Sequence, residues 1–273
     1  MTSKIDDFFV TPSLSELSGI SEEITTYMEY LSKIPTKLKS SPDFDKASLF
    51  NELCISNALY RKSKNASEPL TIYWLSKLRN EATIISVKES IPVFNFTKDD
   101  LALLVKQSKD PYKLSNIKDI LLRHGIILLY LEAYPGMKVD GVSFLLDNDR
   151  PVIGMSLRFD RLDNYWFTLL HELSHLILHK EVLQTPLFDD IESEQTEDIE
   201  MEANGLALNT MIPRYKWRSC KLKYEPTTEN VYSLAEEMSI HPALVAGRFR
   251  KENNKYNIFS DIVNSVNTRE ILL

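Results

Sequence analysis

The sequence lacks most of the features that mark exported, membrane-spanning or nucleic-acid-coating proteins. Its 273 residues include only two cysteines, Cys54 and Cys220, which are too few for a disulfide framework. No apolar run reaches the roughly 18–20 residues that cross a bilayer, and the N-terminus has no charged-then-apolar signal pattern. A formal net charge of -7 argues against a chain-wide nucleic-acid surface. We therefore expect a cytoplasmic protein with reduced thiols and no membrane association.

The pattern of apolar residues divides the chain into three predicted regions. Residues 1–115 form a helical N-terminal region, in which TKDD (97–100) supplies an N-cap and first-turn acids. Residues 116–215 form the core, and residues 216–273 form a helical extension that packs on it. Three short apolar runs within the core predict strands: 125–131, 141–146 and 151–156. We predict an α+β fold, mainly helical, with a small three-stranded sheet beside a long helix.

That long helix carries the clearest chemical signal in the sequence. His171-Glu172-Leu173-Ser174-His175 is an H-E-x-x-H motif inside a helical pattern that begins near residue 163. On a helix, His171 and His175 lie about 40° apart and about 6 Å along the axis, so both imidazoles can reach one ion. Glu172 then lies beside the ion, where it can act as the general base. The motif predicts a zinc site with His171 and His175 as ligands and Glu172 as the catalytic residue.

A third zinc ligand has to come from another element. His179 is excluded by geometry, because it lies about 12 Å from His171 on a straight helix. The helix predicted at roughly 198–211 offers two acids, Glu200 and Glu202, which lie about 200° apart around its axis. Glu202 shares a face with Leu206 and Asn209, whereas Glu200 neighbours an acidic segment, 189–202, which is predicted to be a loop near the cleft. We therefore predict His171, His175 and Glu202 as the metal ligands, with Glu200 as the rival.

These segments resemble the ImmA/IrrE family of zinc metallopeptidases. The resemblance is carried by WFTLLHELSHLILH (166–179) and EMEANGLALNTMIP (200–213), and it extends to 74–82, 139–159 and 240–264. It implies that the glutamate before Ala-Asn, here Glu202, is the third ligand. Ser174 stands where the family usually has glycine. Larger relatives begin with a helix-turn-helix DNA reader, of which 14–30 resembles only a fragment.

The resemblance also implies a function. Members cleave or inactivate repressor-like partners, and many are encoded beside a helix-turn-helix protein in toxin–antitoxin, mobile-element or phage-defence modules. We therefore expect a zinc endopeptidase that acts on such a DNA-binding regulator. An oxyanion-stabilising donor is also expected, and the sequence does not choose among the candidates Arg158, Arg161, Tyr165 and Arg248.

Two other functions compete with peptidase activity. Residues 231–251 have helix-turn-helix spacing, which would suit a transcriptional regulator with a vestigial peptidase site. Glu236, Glu237 and Pro242 fit DNA contact poorly, so we do not expect direct DNA binding and interpret the segment as two helices packed on the core. The third possibility is a module that sequesters a partner regulator without cutting it.

Overall fold

The structure of the chain, a computed structural model, describes residues 14–42, 44–60, 68–183 and 194–273. Within these residues it confirms a mainly helical α+β fold with one small mixed sheet. The helices are α1 (Leu14–Lys33), α2 (Thr36–Lys39), α3 (Lys46–Tyr60), α4 (Glu68–Lys88), α5 (Lys98–Leu104), α6 (Ile117–Arg123), α7 (Leu162–Leu178), α8 (Glu194–Met211), α9 (Arg214–Ser219), α10 (Thr228–Met238), α11 (Pro242–Asn253), α12 (Ser260–Val263) and α13 (Thr268–Leu272). Short 3-10 segments occupy Val105–Lys109, Pro111–Asn116, Lys180–Val182 and Lys221–Lys223.

The chain divides into two compact units, Met1–Ser76 and Lys77–Leu273. In the first unit α1 packs against α3, and the rings of Tyr27 and Phe50 meet edge to face with centroids 5.4 Å apart. The predicted N-terminal region ended at residue 115, but residues 77–115 belong to the same compact unit as the predicted core. None of the helices within the described residues is long and apolar enough to cross a membrane.

The sheet contains three strands: β1 (Ile127–Tyr130), β2 (Gly141–Leu145) and β3 (Pro151–Met155). Their order is β1-β3-β2, with β1 parallel and β2 antiparallel to β3. All three follow the predicted apolar runs. The chain enters β1 through Gly125, whose φ is +82° and whose absent Cβ would lie 2.7 Å from the carbonyl oxygen of Pro92. Only glycine meets both conditions at little cost.

The helix α7 runs through the middle of the second unit. Its apolar residues recur at helical spacing and are buried on nearly all sides, against β2, β3, α8 and α11. The N-cap predicted for α5 is also present, because Thr97 and Asp100 form a reciprocal capping box. The core of this unit therefore fixes the helix that carries the H-E-x-x-H motif.

The acidic segment differs from its prediction as a loop. Helix α8 begins at Glu194, about one turn earlier than expected, so five of the eight acids in 189–202 lie on a helix. The remaining three, in 189–193, lie outside the described residues.

Candidate metal and catalytic site

Three polar side chains from α7 and α8 converge at one point. Nε2 of His171 and Nε2 of His175 lie 2.9 Å apart. One carboxylate oxygen of Glu200 lies 3.1 Å from the first nitrogen, and the other oxygen lies 3.2 Å from the second. The three side chains are 5%, 2% and 17% exposed, respectively. They form a group of metal-ligating type within the part of the chain that the structure describes.

The third member of this group is Glu200 and not Glu202, which the sequence predicted as the third ligand. The carboxylate of Glu202 is 65% exposed and lies 3.6 Å from Nε2 of His179, at the far end of α7. Because the two glutamates lie about 200° apart on the helix, only one can face the histidine pair. The structure brings together His171, His175 and Glu200, and it leaves Glu202 outside.

Burial on α8 explains which glutamate faces inward. Ala203, Ala207 and Met211 are buried, and Glu200 precedes them at intervals of three, seven and eleven residues. The two alanines are small enough to let α8 approach α7 closely, so the Glu200 side of the helix is the inner side. The predicted apolar partner of Glu202, Leu206, is only partly buried. The signal that sequence reasoning missed was this stripe of small residues.

The donor set fits a cation. Ligands about 2.1 Å from a tetrahedral zinc lie roughly 3.3 Å from one another, close to the distances between these three groups. Oε1 of Glu200 is buried and receives no hydrogen bond within the described residues, although it lies 3.2 Å from a histidine nitrogen. Burial by itself would raise the pKa of Glu200, but its interactions with the imidazoles of His171 and His175 lower it to about 2. The carboxylate is therefore ionised and ready to bind a cation.

Glu172 occupies the position that the motif predicts, on α7 next to the first histidine. Its side chain is 2% exposed. A Cβ added to Gly141 at the start of β2 would lie 2.7 Å from Oε1 of Glu172 and 2.7 Å from Cγ2 of Thr168. Glycine at this strand end therefore leaves room for the carboxylate. The sequence alone did not indicate that Gly141 makes room for Glu172.

Ser174 and His179 have structural surroundings. The hydroxyl of Ser174 donates to the carbonyl oxygen of Leu170 at 2.7 Å, so serine is accommodated inside the helix. His179 ends α7, and its ring centre lies 5.7 Å from that of His175. Burial and the neighbouring His175 lower the pKa of His179. Within the described residues, His179 is not one of the three side chains that converge.

The four candidate oxyanion donors are all engaged elsewhere. Arg158 pairs with Asp140 and Arg161 with Asp163, as described below. The hydroxyl of Tyr165 is 2.7 Å from that of Tyr130, and burial raises its pKa well above the ordinary value. Arg248 donates to the carbonyl oxygens of Leu208 and Ile212 at the end of α8. Asn204, one turn after Glu200, lines the same cleft as His171 and was not considered from the sequence.

A helix with an H-E-x-x-H motif beside a mixed sheet, with a carboxylate from a second helix, defines a metallopeptidase-like domain. Residues 123–250 match the family model of the peptidase M78, IrrE N-terminal-like domain. This segment, which runs from the end of α6 to α11, is therefore an ImmA/IrrE family peptidase-like domain, and the predicted resemblance is confirmed. Among curated proteins, none matches the sequence.

Proposed function

We propose that the chain is a zinc-dependent endopeptidase. The observation that carries the proposal is the convergence of His171, His175 and Glu200 within 3.2 Å of one another, beside the buried carboxyl of Glu172. Two imidazoles and one carboxylate are the ligand set of several catalytic zinc sites, which keep a fourth position open. We assign those three residues as the zinc ligands.

The chemistry follows from the types of group present. Zinc, when bound, supplies a Lewis acid that polarises a substrate carbonyl and lowers the pKa of water. Glu172 accepts a proton from the attacking water and later delivers it to the leaving nitrogen of the cleaved peptide bond. Gly141 keeps space for that carboxylate at the end of β2. Burial of α7 excludes bulk water from the back of the site and fixes the orientation of both imidazoles.

The substrate in this proposal is a protein partner in the cytoplasm. We propose a helix-turn-helix repressor or antitoxin, encoded nearby in a toxin–antitoxin, mobile-element or phage-defence module. This step rests on what members of the family do, since a fold does not by itself specify a substrate. A competing proposal, a partner-sequestering module that binds the regulator without cutting it, differs only in turnover.

The surroundings of α10 and α11 support the peptidase over a DNA-binding regulator. In a helix-turn-helix reader the second helix presents basic side chains to the duplex. Here Arg248 is directed to the end of α8 and its side chain is 7% exposed. Arg250 is 8% exposed and donates to the carbonyl oxygen of Tyr256. Two of the three cations near the end of α11 are therefore occupied inside the protein.

A cleavage assay separates these functions. The zinc-loaded chain is incubated with the helix-turn-helix protein encoded beside it, and the products are identified by intact mass spectrometry. We expect cleavage at one bond, inhibition by a zinc chelator and recovery when zinc is restored. Binding without cleavage, by a chain shown to hold stoichiometric zinc, would favour sequestration instead. Specific binding to duplex DNA, measured by the loss of affinity at a mutated site, would favour the regulator.

A further inference from the structure

A cleft of about 670 Å³ opens beside the candidate metal site. His171 and Thr168 of α7 lie at one part of its wall, and the charged last turns of α11 form another. Such a volume is ample for a peptide side chain and its neighbours. The cleft is therefore the natural place to look for groups that select a substrate.

Each carboxylate that lines the cleft has an arginine partner. Asp140 accepts from Arg158 at 2.7 Å, Asp163 from Arg161 at 2.8 Å, and Glu252 from Arg248 at 2.8 Å. These acids are therefore neutralised within the protein and exert little attraction on a positively charged substrate.

Two cations that line the cleft have no such partner. No carboxylate within the described residues lies within 4 Å of the charged groups of Arg250 or Lys251. Nη2 of Arg250 donates to the carbonyl oxygen of Tyr256, but its Nε and Nη1 are buried and donate to no atom of the described residues. Burial and then the positive charge of Arg161 lower the pKa of Arg250, and the attraction of Asp163 offsets them only in part. Because Asp163 is already paired with Arg161, it does not neutralise Arg250, so this end of the cleft favours a negatively charged group.

Lys251 places this positive charge close to the reaction centre. Its ammonium lies 4.3 Å from the ring centre of Phe167, which stacks with the ring of His171 at 6.1 Å between centres. These two separations limit the distance from the ammonium to the His171 ring centre to about 10 Å, which is the reach of about three extended residues. A group held there would belong to a residue near the cleaved bond.

We propose that the cleft is a specificity subsite for a carboxylate of the peptide substrate, bound by Lys251 in the positive field of Arg250. This inference rests on the peptidase function and names its substrate class: peptides with an aspartate, a glutamate or a free C-terminus within about three residues of the cleaved bond. A charge-assisted hydrogen bond in a partly enclosed cleft discriminates against the neutral amide of the same shape.

A peptide library tests the subsite directly. Acetylated and amidated octapeptides carry Glu, Gln or Lys fixed at one position, and cleavage by the zinc-loaded chain is quantified by mass spectrometry. We expect Glu to be preferred over Gln by about tenfold at one position near the cleaved bond. Matched peptides with a free C-terminus and no acidic residue test the terminal carboxylate as the alternative source.

Charge reversal provides the decisive variant. Lys251 is exposed, so Lys251→Glu should leave the fold intact and should change the preferred residue from Glu to Lys. Lys255→Glu is the matched control, since Lys255 is an exposed cation just after α11 that does not line the cleft. It should keep the preference for Glu. A preference unchanged by Lys251→Glu, or equal cleavage of carboxylate and neutral peptides in both series, would overturn the inference.

A binding measurement separates this inference from the peptidase proposal. Fluorescent versions of the same peptides are titrated against the Glu172→Gln protein, which is expected to bind peptides with little cleavage. The measurement therefore does not depend on turnover. One outcome is that carboxylate peptides bind more tightly than neutral ones, that Lys251→Glu reverses this order, and that the parent chain cleaves none of them. This outcome would retain the subsite and reject the peptidase. Equal affinity for Glu and Gln peptides and for free and amidated C-termini would reject the subsite.

Discussion

The two sides of α8 carry glutamates only two residues apart that differ in almost every physical respect. Glu200 faces α7, is 17% exposed and has a pKa lowered to about 2 by two imidazoles. Glu202 points away, is 65% exposed and lies 3.6 Å from Nε2 of His179. The comparison shows that the phase of a helix, set by which residues it buries, decides which of two similar acids can bind a cation.

The largest expected effect is on zinc affinity, and it distinguishes His175 from His179 at the end of α7. His175→Ala removes one of three convergent donors, and we expect zinc affinity to fall by more than about a hundredfold. His179→Ala changes a side chain outside the ligand group, and zinc affinity should fall less than about tenfold. Competition with a chromophoric chelator gives both values. The reverse order would move the metal site to the outer end of the helix.

The next largest effect is on kcat and concerns Glu172 of α7. Glu172→Gln keeps the size of the side chain but removes its ability to accept a proton, so we expect kcat to fall by about 10²–10⁴ with zinc content unchanged. The assay is cleavage of the partner protein or of the best library peptide. Cleavage at the parent rate by this variant would contradict the role of Glu172.

A smaller effect tests the close approach of α8 to α7. Ala207→Leu adds volume at a fully buried contact and should lower the free energy of unfolding by about 1–3 kcal/mol. It should also weaken zinc binding, because it moves Glu200 away from the histidines. Leu206→Met on the partly buried side is the control, with an expected change below about 1.5 kcal/mol. Chemical denaturation measures the free energy of unfolding, and competition with a chelator measures zinc affinity. Equal zinc affinity of Ala207→Leu and Leu206→Met would contradict the view that close packing of α8 on α7 positions Glu200.

The smallest effect is expected on the outer side of α8. Gly205 is exposed, and beyond the adjoining backbone of its own helix no atom of the described residues lies within 4 Å of the position that its Cβ would take. Gly205→Ala should therefore stabilise the helix by about 0.5–1 kcal/mol without changing zinc affinity. Thermal unfolding of the metal-free proteins measures this gain. A loss of stability would show that this side of the helix is not exposed as described.

The sequence allowed prediction of the elements and of two of the three proposed ligands, because their signals are local. H-E-x-x-H at helical spacing, three short apolar runs and a capping box each depend on residues close in the chain. The third ligand depends on how α8 is rotated against α7, which is a tertiary property. Leu206 suggested one phase, but close packing of Ala203 and Ala207 set the other. Gly141 was missed for the same reason, since its role depends on Glu172 and Thr168, which are distant in sequence.

The most direct test compares zinc binding by Glu200→Gln and Glu202→Gln. Both variants remove one negative charge from α8, so they differ only in the side of the helix on which the substitution lies. We predict that Glu200→Gln lowers zinc affinity by about a hundredfold or more, while Glu202→Gln stays within about threefold of the parent chain. Equal losses, or a larger loss in Glu202→Gln, would contradict the assignment of Glu200 as the third ligand.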